Sequence, residues 1–307
     1  PATPEKPVAK QGLKKTVARR LRDFGPILGP LKLSYRTGSR LLDRLTLSPS
    51  VRDRLSRPFL RDLETLIADQ NIQDPDKIRR EVARSFAWVG WREGSLSDPD
   101  IFSEFVSVKG LEHVQHARDN GQGVILCLVT TRFKGLYKFI PELREKPLGT
   151  IANLTPDRIE FYGMGPLAQK TGGKASYTVP SARVAQIHNA HRLLAQQGTV
   201  GIFMDAFDGP GGISLPFLGR IRPFRPGIAE LALDTNSVVI PVEHWLHDEG
   251  RVTIEFKPPF TVTGETRDEK VLSLMIQQAA SLEEIWRGNP GQMNDEAIRR
   301  QLNLPKA

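Results

Sequence analysis

The sequence predicts an α/β fold, with a mostly parallel central sheet flanked by helices and a helical N-terminal region. Three observations predict it. Residues 123–129 and 199–204 are unbroken apolar runs, as strands covered on both faces read. Amphipathic helical patterns alternate with such runs, which is the signature of strand–helix–strand units. The chain has 307 residues and 39% hydrophobic residues, enough for a full core.

The elements follow in chain order. Residues 1–8 are predicted to be unstructured. Residues 38–70 read as helices, broken at Ser48-Pro49-Ser50 and at Pro58, with Ser50 able to cap the second piece. A helix over 75–92 starts at Asp74-Pro75 and carries Ile78, Val82, Phe86 and Val89 on one face. After a linker at 95–100 come a short strand at 105–108 and a helix over 111–120, ended by Gly121. The apolar strand 123–129 precedes a predicted helix at 136–143, a strand at 150–154, a helix at 161–170 and a strand at 175–179. A helix over 181–197, capped by Ser181 and stopped by Gly198, leads into the strand 199–204. A helix over 226–234 has Pro226 near its start. Strands 238–245 and 251–256 form a hairpin around Asp248-Glu249-Gly250. The last long helix covers 270–286, and a polar tail follows. The expected organisation is a basic arm (1–37), a helical region (38–100) and an α/β domain (101–307).

Charge is concentrated at one end. The chain carries +8 formally. Residues 1–60 hold 14 Lys and Arg against 4 Asp and Glu, whereas the rest hold 29 against 31. Lys10, Lys14, Lys15, Arg19, Arg20 and Arg22 interleave with Leu13, Val17, Leu21 and Phe24 at helical spacing. A basic amphipathic stretch suits an anionic membrane surface, so residues 10–44 are the expected contact. A solvated arm is the alternative. Nucleic acid is not an expected partner, because no helical or aromatic reading element accompanies the charge.

Other classes fall away. The single cysteine, Cys127, excludes a disulfide framework and a multi-cysteine metal site. No run of about 18 apolar residues would span a bilayer. The N-terminus has no apolar signal-peptide region. A cytoplasmic location, peripheral on the inner face of the membrane, is the expectation. Neither metal nor cofactor is expected.

In open α/β sheets ligands bind beyond the carboxyl ends of the strands. Two such ends carry chemistry. Thr130-Thr131-Arg132-Phe133-Lys134-Gly135 follows the first apolar strand and supplies hydroxyls and cations. Asp205-Ala206-Phe207-Asp208, with the glycine-rich turn 209–212, follows the second and supplies carboxylates. Both are expected on one edge of the sheet. Arg132 and Lys134 can grip a phosphate or carboxylate, with Thr131 beside them. Asp205 can orient a cation or hydroxyl, or simply cap a turn and pair with Arg132. Arg220, Arg222 and Arg225 form a third cationic cluster next to a helix start, either an anion site or a solvated loop. Arg158 is a further anion-binding candidate.

The histidines offer less. His113 and His116 lie on a predicted surface helix. His188 and His191 are three apart, with no carboxylate or cysteine to complete a metal set. His244 and His247 sit by the hairpin turn. None follows a buried strand where a general base would be expected. No G-x-S-x-G, P-loop or G-x-G-x-x-G motif is present.

The order of segments resembles the lipid A late acyltransferases of the lysophospholipid acyltransferase superfamily, over roughly residues 75–292. The residues that carry the resemblance are Asn120-Gly121-Gln122-Gly123-Val124-Ile125-Leu126, then Leu194, Gly198 and the run from Gly201 to Asp205. Pro216-Phe217-Leu218-Gly219, Pro226-Gly227, Val238-Val239-Ile240-Pro241 and Pro290-Gly291-Gln292 follow in family order. The resemblance implies a glycerolipid-acyltransferase-like fold and an acyl-thioester donor, delivered by a carrier protein or coenzyme A. The family's catalytic motif is H-x4-D/E. Here Arg132 falls at the histidine and Tyr137 at the acid. An arginine stays protonated and is no base at neutral pH, and tyrosine is a poor orienting anion. Asn153 falls near the family's next arginine, and Met293 and Asn294 follow Gln292 in place of aromatic and basic residues.

These observations imply a divergent transferase moving an acyl or aminoacyl group from an activated thioester or ester to a small or lipid acceptor. Arg132, Asp205 and Asp208 are its candidate catalytic residues. The competing reading is an inactive homologue that binds lipid, a carrier protein or a protein partner.

Overall fold

The computed structural model describes residues 35–50, 62, 64–66, 68, 74–89, 96, 98–131, 135–151, 183–205 and 212–304. The arm up to residue 34, the helix at 161–170, the strand at 175–179 and the Ser181 cap lie outside them.

Six strands form the main sheet: β1 (Val106–Lys109), β2 (Val124–Leu128), β3 (Leu148–Ile151), β4 (Thr199–Phe203), β7 (Val238–Leu246) and β8 (Val252–Phe256). Their order is β1-β8-β7-β2-β4-β3. β7, β2, β4 and β3 run parallel, as does β1 with β8, while β7 and β8 form the antiparallel hairpin expected around residues 248–250. The mostly parallel sheet of the sequence reading is therefore the observed one.

β2 is central because its sequence can be apolar on both sides. Ile125 and Cys127 pack into one cluster, and Val124, Leu126 and Leu128 into the other. All five are within 1% of complete burial. Burying each aliphatic side chain contributes about 1.5–3 kcal/mol, so polar residues have no place in this strand.

Helices cover both faces: α1 (Tyr35–Leu47), α2 (Pro75–Val89), α3 (Pro99–Phe105), α4 (Glu112–Asp119), α5 (Arg183–Ala195), α6 (Gly227–Thr235), α7 (Arg267–Gly288) and α8 (Asp295–Leu302). α7 starts with a capping box, in which Thr266 Oγ1 accepts from Glu269 N at 3.3 Å and Glu269 Oε2 accepts from Thr266 N at 3.1 Å. α1 begins before the expected arm boundary at 37. Tyr35 is buried against Phe105, and its hydroxyl donates to the Gly250 carbonyl at 2.8 Å.

The structure corrects two readings and adds an element. The predicted helix at 136–143 is two 3₁₀ turns, Leu136–Phe139 and Glu142–Glu145. Pro141 explains the split, because the residue before a proline avoids the helical region, and Ile140 is extended (φ −68°, ψ 117°). The polar tail folds as α8 and buries Ala297 and Ile298. Residues 213–224, to which the sequence reading assigns no element, form an antiparallel ribbon, β5 (Ile213–Phe217) with β6 (Arg220–Phe224). Pro216 and Pro223 hid it. A two-stranded ribbon has outer edges where a missing N–H is tolerated. Leu218 and Gly219 turn the corner with φ of 48° and 68°, as a tight hairpin turn requires.

Candidate functional site

Parallel pairing fixes where the candidate loops start. Leu128 of β2 lies opposite Phe203 of β4, so both strands end at one edge of the sheet. The expectation that the two loops share an edge holds for their first residues. Thr130 N donates to Asp205 Oδ2 at 2.8 Å, and Thr130 Oγ donates to Asp205 Oδ1 at 2.6 Å. The carboxylate thus clamps one strand end to the other. It is 4% exposed.

The base of this clamp is built from the ribbon and α7. Arg222 Nη2 donates to the Asp205 carbonyl at 3.0 Å, and Gln278 Nε2 donates to the Met204 carbonyl at 3.1 Å. The Arg222 guanidinium lies 4.8 Å from the Phe217 ring centre and 4.9 Å from that of Phe224, while Phe217 packs edge-on to Trp286. Burial lowers its pKa to about 9, with Asp205 opposing the shift. The group therefore remains cationic at neutral pH, held by aromatic faces. Arg220 is buried and donates from Nη1 to the Leu304 carbonyl at 2.8 Å. Arg225 is half-buried, and its Nε and Nη2 atoms are buried without hydrogen-bond partners. Of the two readings open for this cluster, the solvated loop does not describe Arg220 and Arg222, which sit on a strand.

A C-terminal strap closes the same edge. Thr131 is buried and forms an antiparallel bridge with Met293, and Asn294 N donates to the Thr130 carbonyl at 3.1 Å. Gln292 satisfies both backbone groups of Leu246: its Oε1 accepts from Leu246 N at 2.9 Å and its Nε2 donates to Leu246 O at 3.0 Å. The strap thus ties the ends of β2 and β7 together.

On the opposite face of the sheet, Tyr137 is fully buried and its hydroxyl lies 2.6 Å from Thr150 Oγ. The space for it exists because residue 201 is glycine; a Cβ there would lie 2.4 Å from the tyrosine oxygen. The Tyr137 and His244 rings are 6.4 Å apart, centre to centre. Desolvation lowers the His244 pKa to about 4.

The structure therefore brings Thr131, Asp205 and Arg222 together and places Arg220 and Arg225 on or beside the supporting ribbon. Arg132, Lys134, Arg158 and Asp208 lie outside the described residues. The sequence does not single out Thr150, Gln278, Gln292 or His244 as site residues. Gln292 carried a usable signal, since it sits in the Pro290-Gly291-Gln292 motif. The others become visible only through strand register and helix packing. Among the described residues, no group of three or more His, Cys, Asp or Glu is placed to hold a metal, and no helix is long and apolar enough to cross a membrane.

A mostly parallel sheet with a clamped carboxylate at its carboxyl edge defines an α/β protein, and that edge is built from the β2, β4 and β7 ends. The family profile described as bacterial lipid A biosynthesis acyltransferase matches residues 36–292, and the chain belongs to that family. Membership makes it an acyltransferase of lipid biosynthesis, acting on an acyl donor. Among solved structures it is similar to the 1-acyl-sn-glycerophosphate (LPA) acyltransferase PlsC from Thermotoga maritima, with 14% identity over 80% of this chain and 96% of that one, and a TM-score of 0.37. No curated protein matches the chain.

Proposed function

We propose that this chain transfers an acyl or aminoacyl group from an activated thioester or ester, carried by a carrier protein or coenzyme A, to a small or lipid acceptor, without a histidine–acid dyad on the loop after β2. The observation that carries the reading is the Asp205–Thr130 clamp, which starts the cationic loop and the acidic loop side by side. Arg132 and Lys134 then hold the donor's anionic group or the carbonyl oxygen as charge develops on it. Thr131 lies at the root of that loop. Asp205 or Asp208 is assigned to handling the acceptor. Arg158 and Arg225 add cationic contacts to the donor, and Arg220 and Arg222 act from beneath by holding the ribbon and the Asp205 backbone in place. An amine acceptor suits a site whose loop lacks a base, since amines are the better nucleophiles once neutral.

The test is thiol release from an acyl-thioester pool, followed by native mass spectrometry. Turnover with an adduct that disappears in Arg132→Ala supports the reading. Donor binding without turnover favours the inactive homologue. One observation favours that second reading: both Asp205 oxygens already accept hydrogen bonds from Thr130.

For location, residues 10–44 are assigned to an anionic membrane surface, peripherally on the cytoplasmic face. Deleting residues 1–34, which spares the buried Tyr35, is expected to weaken binding to phosphatidylglycerol vesicles, and wild-type binding is expected to fall with salt. Equal binding by both chains would return the arm to a solvated segment.

A further inference from the structure

The hairpin strand β7 brings a histidine to the carboxyl edge that the mechanism above leaves unused. Val242 of β7 pairs with Leu128 of β2, so His244, two residues further on, is level with Thr130. Alternation along the strand places it on the face of Ile240 and Val242, with Tyr137. Its neighbour Glu243 alternates to the other face, where it meets Lys257 at 3.4 Å. His244 is 3% exposed, and its Nε2 has no hydrogen-bond partner. Leaving such a buried atom unpaired costs about 1–3 kcal/mol, and a group kept at that cost calls for a function.

Acyl transfer to a hydroxyl or amine releases a proton, and the receiving group must be unprotonated, with a free lone pair, at working pH. Arg132 cannot serve. The Tyr137 hydroxyl pairs with Thr150, and Asp205 pairs with Thr130. Among the described residues at this edge, His244 is the imidazole, and burial keeps it neutral. We propose that Nε2 of His244 is the proton acceptor of the transfer, in place of a base on the β2 loop. The proposal rests on the acyl-transfer reading. The acceptor's proton passes to Nε2 as its lone pair bonds to the acyl carbon. The oxyanion forming beside the imidazolium raises the basicity of the ring. When the tetrahedral intermediate collapses, the carbon–sulfur bond breaks, and the thiolate takes the proton back from Nε2. The enclosed ring keeps water from competing for the acyl group.

The experiment uses the full chain with lauroyl-coenzyme A and a total bacterial lipid extract, reading thiol release. His244→Gln keeps a polar side chain of similar size but is no base. It is expected to melt near wild type and to lose about 10²–10⁴ in kcat with KM little changed. Free imidazole is expected to restore part of the rate to His244→Gly. A folded His244→Gln that keeps kcat within about threefold, or that loses only KM, overturns the proposal. A second arm uses the wild-type chain labelled with ¹⁵N-histidine and titrated with S-dodecyl-coenzyme A, an unreactive thioether. The Nε2 resonance that His244→Gln deletes is expected to shift on binding, and an unmoved resonance overturns the proposal. Absence of thiol release by the wild-type chain refutes the transfer reading itself, and the resonance arm still decides whether His244 faces the donor.

Discussion

Asp205→Ala removes the clamp between β2 and β4. Two hydrogen bonds to a carboxylate are lost, at 2.6 and 2.8 Å. Charge-assisted bonds are each worth about 1.5–3 kcal/mol, so the variant is expected to lose about 3–6 kcal/mol. Thr130→Ala deletes only the hydroxyl bond and leaves the backbone N–H in place, so its cost is about 1–2 kcal/mol. The two side chains share that hydroxyl bond. A double-mutant cycle on urea-unfolding free energies, with the slope held constant, is therefore expected to show coupling of about 1–2 kcal/mol. Asp205→Asn should fall between wild type and alanine, because its amide keeps one acceptor but turns a donor towards a donor. Additivity within about 0.5 kcal/mol would mean that the carboxylate and the hydroxyl act independently, and the clamp argument would fail.

Other outcomes follow from the same geometry. His244 has a folded pKa of about 4 against an ordinary 6.5, so the unfolded chain binds more protons between those values; stability present above pH 6.5 is lost as pH falls towards 4. Between pH 7.5 and 5.0 the wild type should lose about 2 kcal/mol more than His244→Leu in urea unfolding, and parallel losses would contradict the burial argument. Thr266→Ala breaks the α7 capping box and is expected to cost about 1 kcal/mol, read from the same unfolding curves. Gln292→Ala leaves both Leu246 backbone groups unpaired, for a loss of about 2–4 kcal/mol, which Gln292→Glu should only partly avoid because it cannot donate. Gly201→Ala drives a methyl into Tyr137, and a cost of about 1–3 kcal/mol with altered tyrosine fluorescence is expected.

The fold was legible where local pattern and global packing agree. β2 and β4 announce themselves by apolar runs, because strands covered on both faces leave no room for polarity. The β7–β8 hairpin was legible from its turn. β5 and β6 were not, because Pro216 and Pro223 contradict strand propensity and only an isolated ribbon tolerates them. The shared edge of the two candidate loops followed from parallel topology alone. What Asp205 holds did not, since Thr130 is a hydroxyl residue like many others until β2 is placed beside β4. The sequence reading places His244 at the end of the predicted strand 238–245, by the turn, and gives it no role. Its position at the carboxyl edge, level with Thr130, depends on the register of β7 with β2, which is not written in the residues around it.

The strap at residues 290–294 also has a meaning for biosynthesis. The chain leaves the ribosome from its N-terminus, and the β2 end that Met293 and Asn294 hold emerges more than half a chain earlier. All eight described strands can leave the exit tunnel before this partner does. The nascent sheet can therefore form with its carboxyl edge open, and the edge closes only once residues 290–294 have emerged. Proteolytic trimming just after α7 would return a mature molecule to that unfinished condition, with an intact sheet and an untied β2 loop.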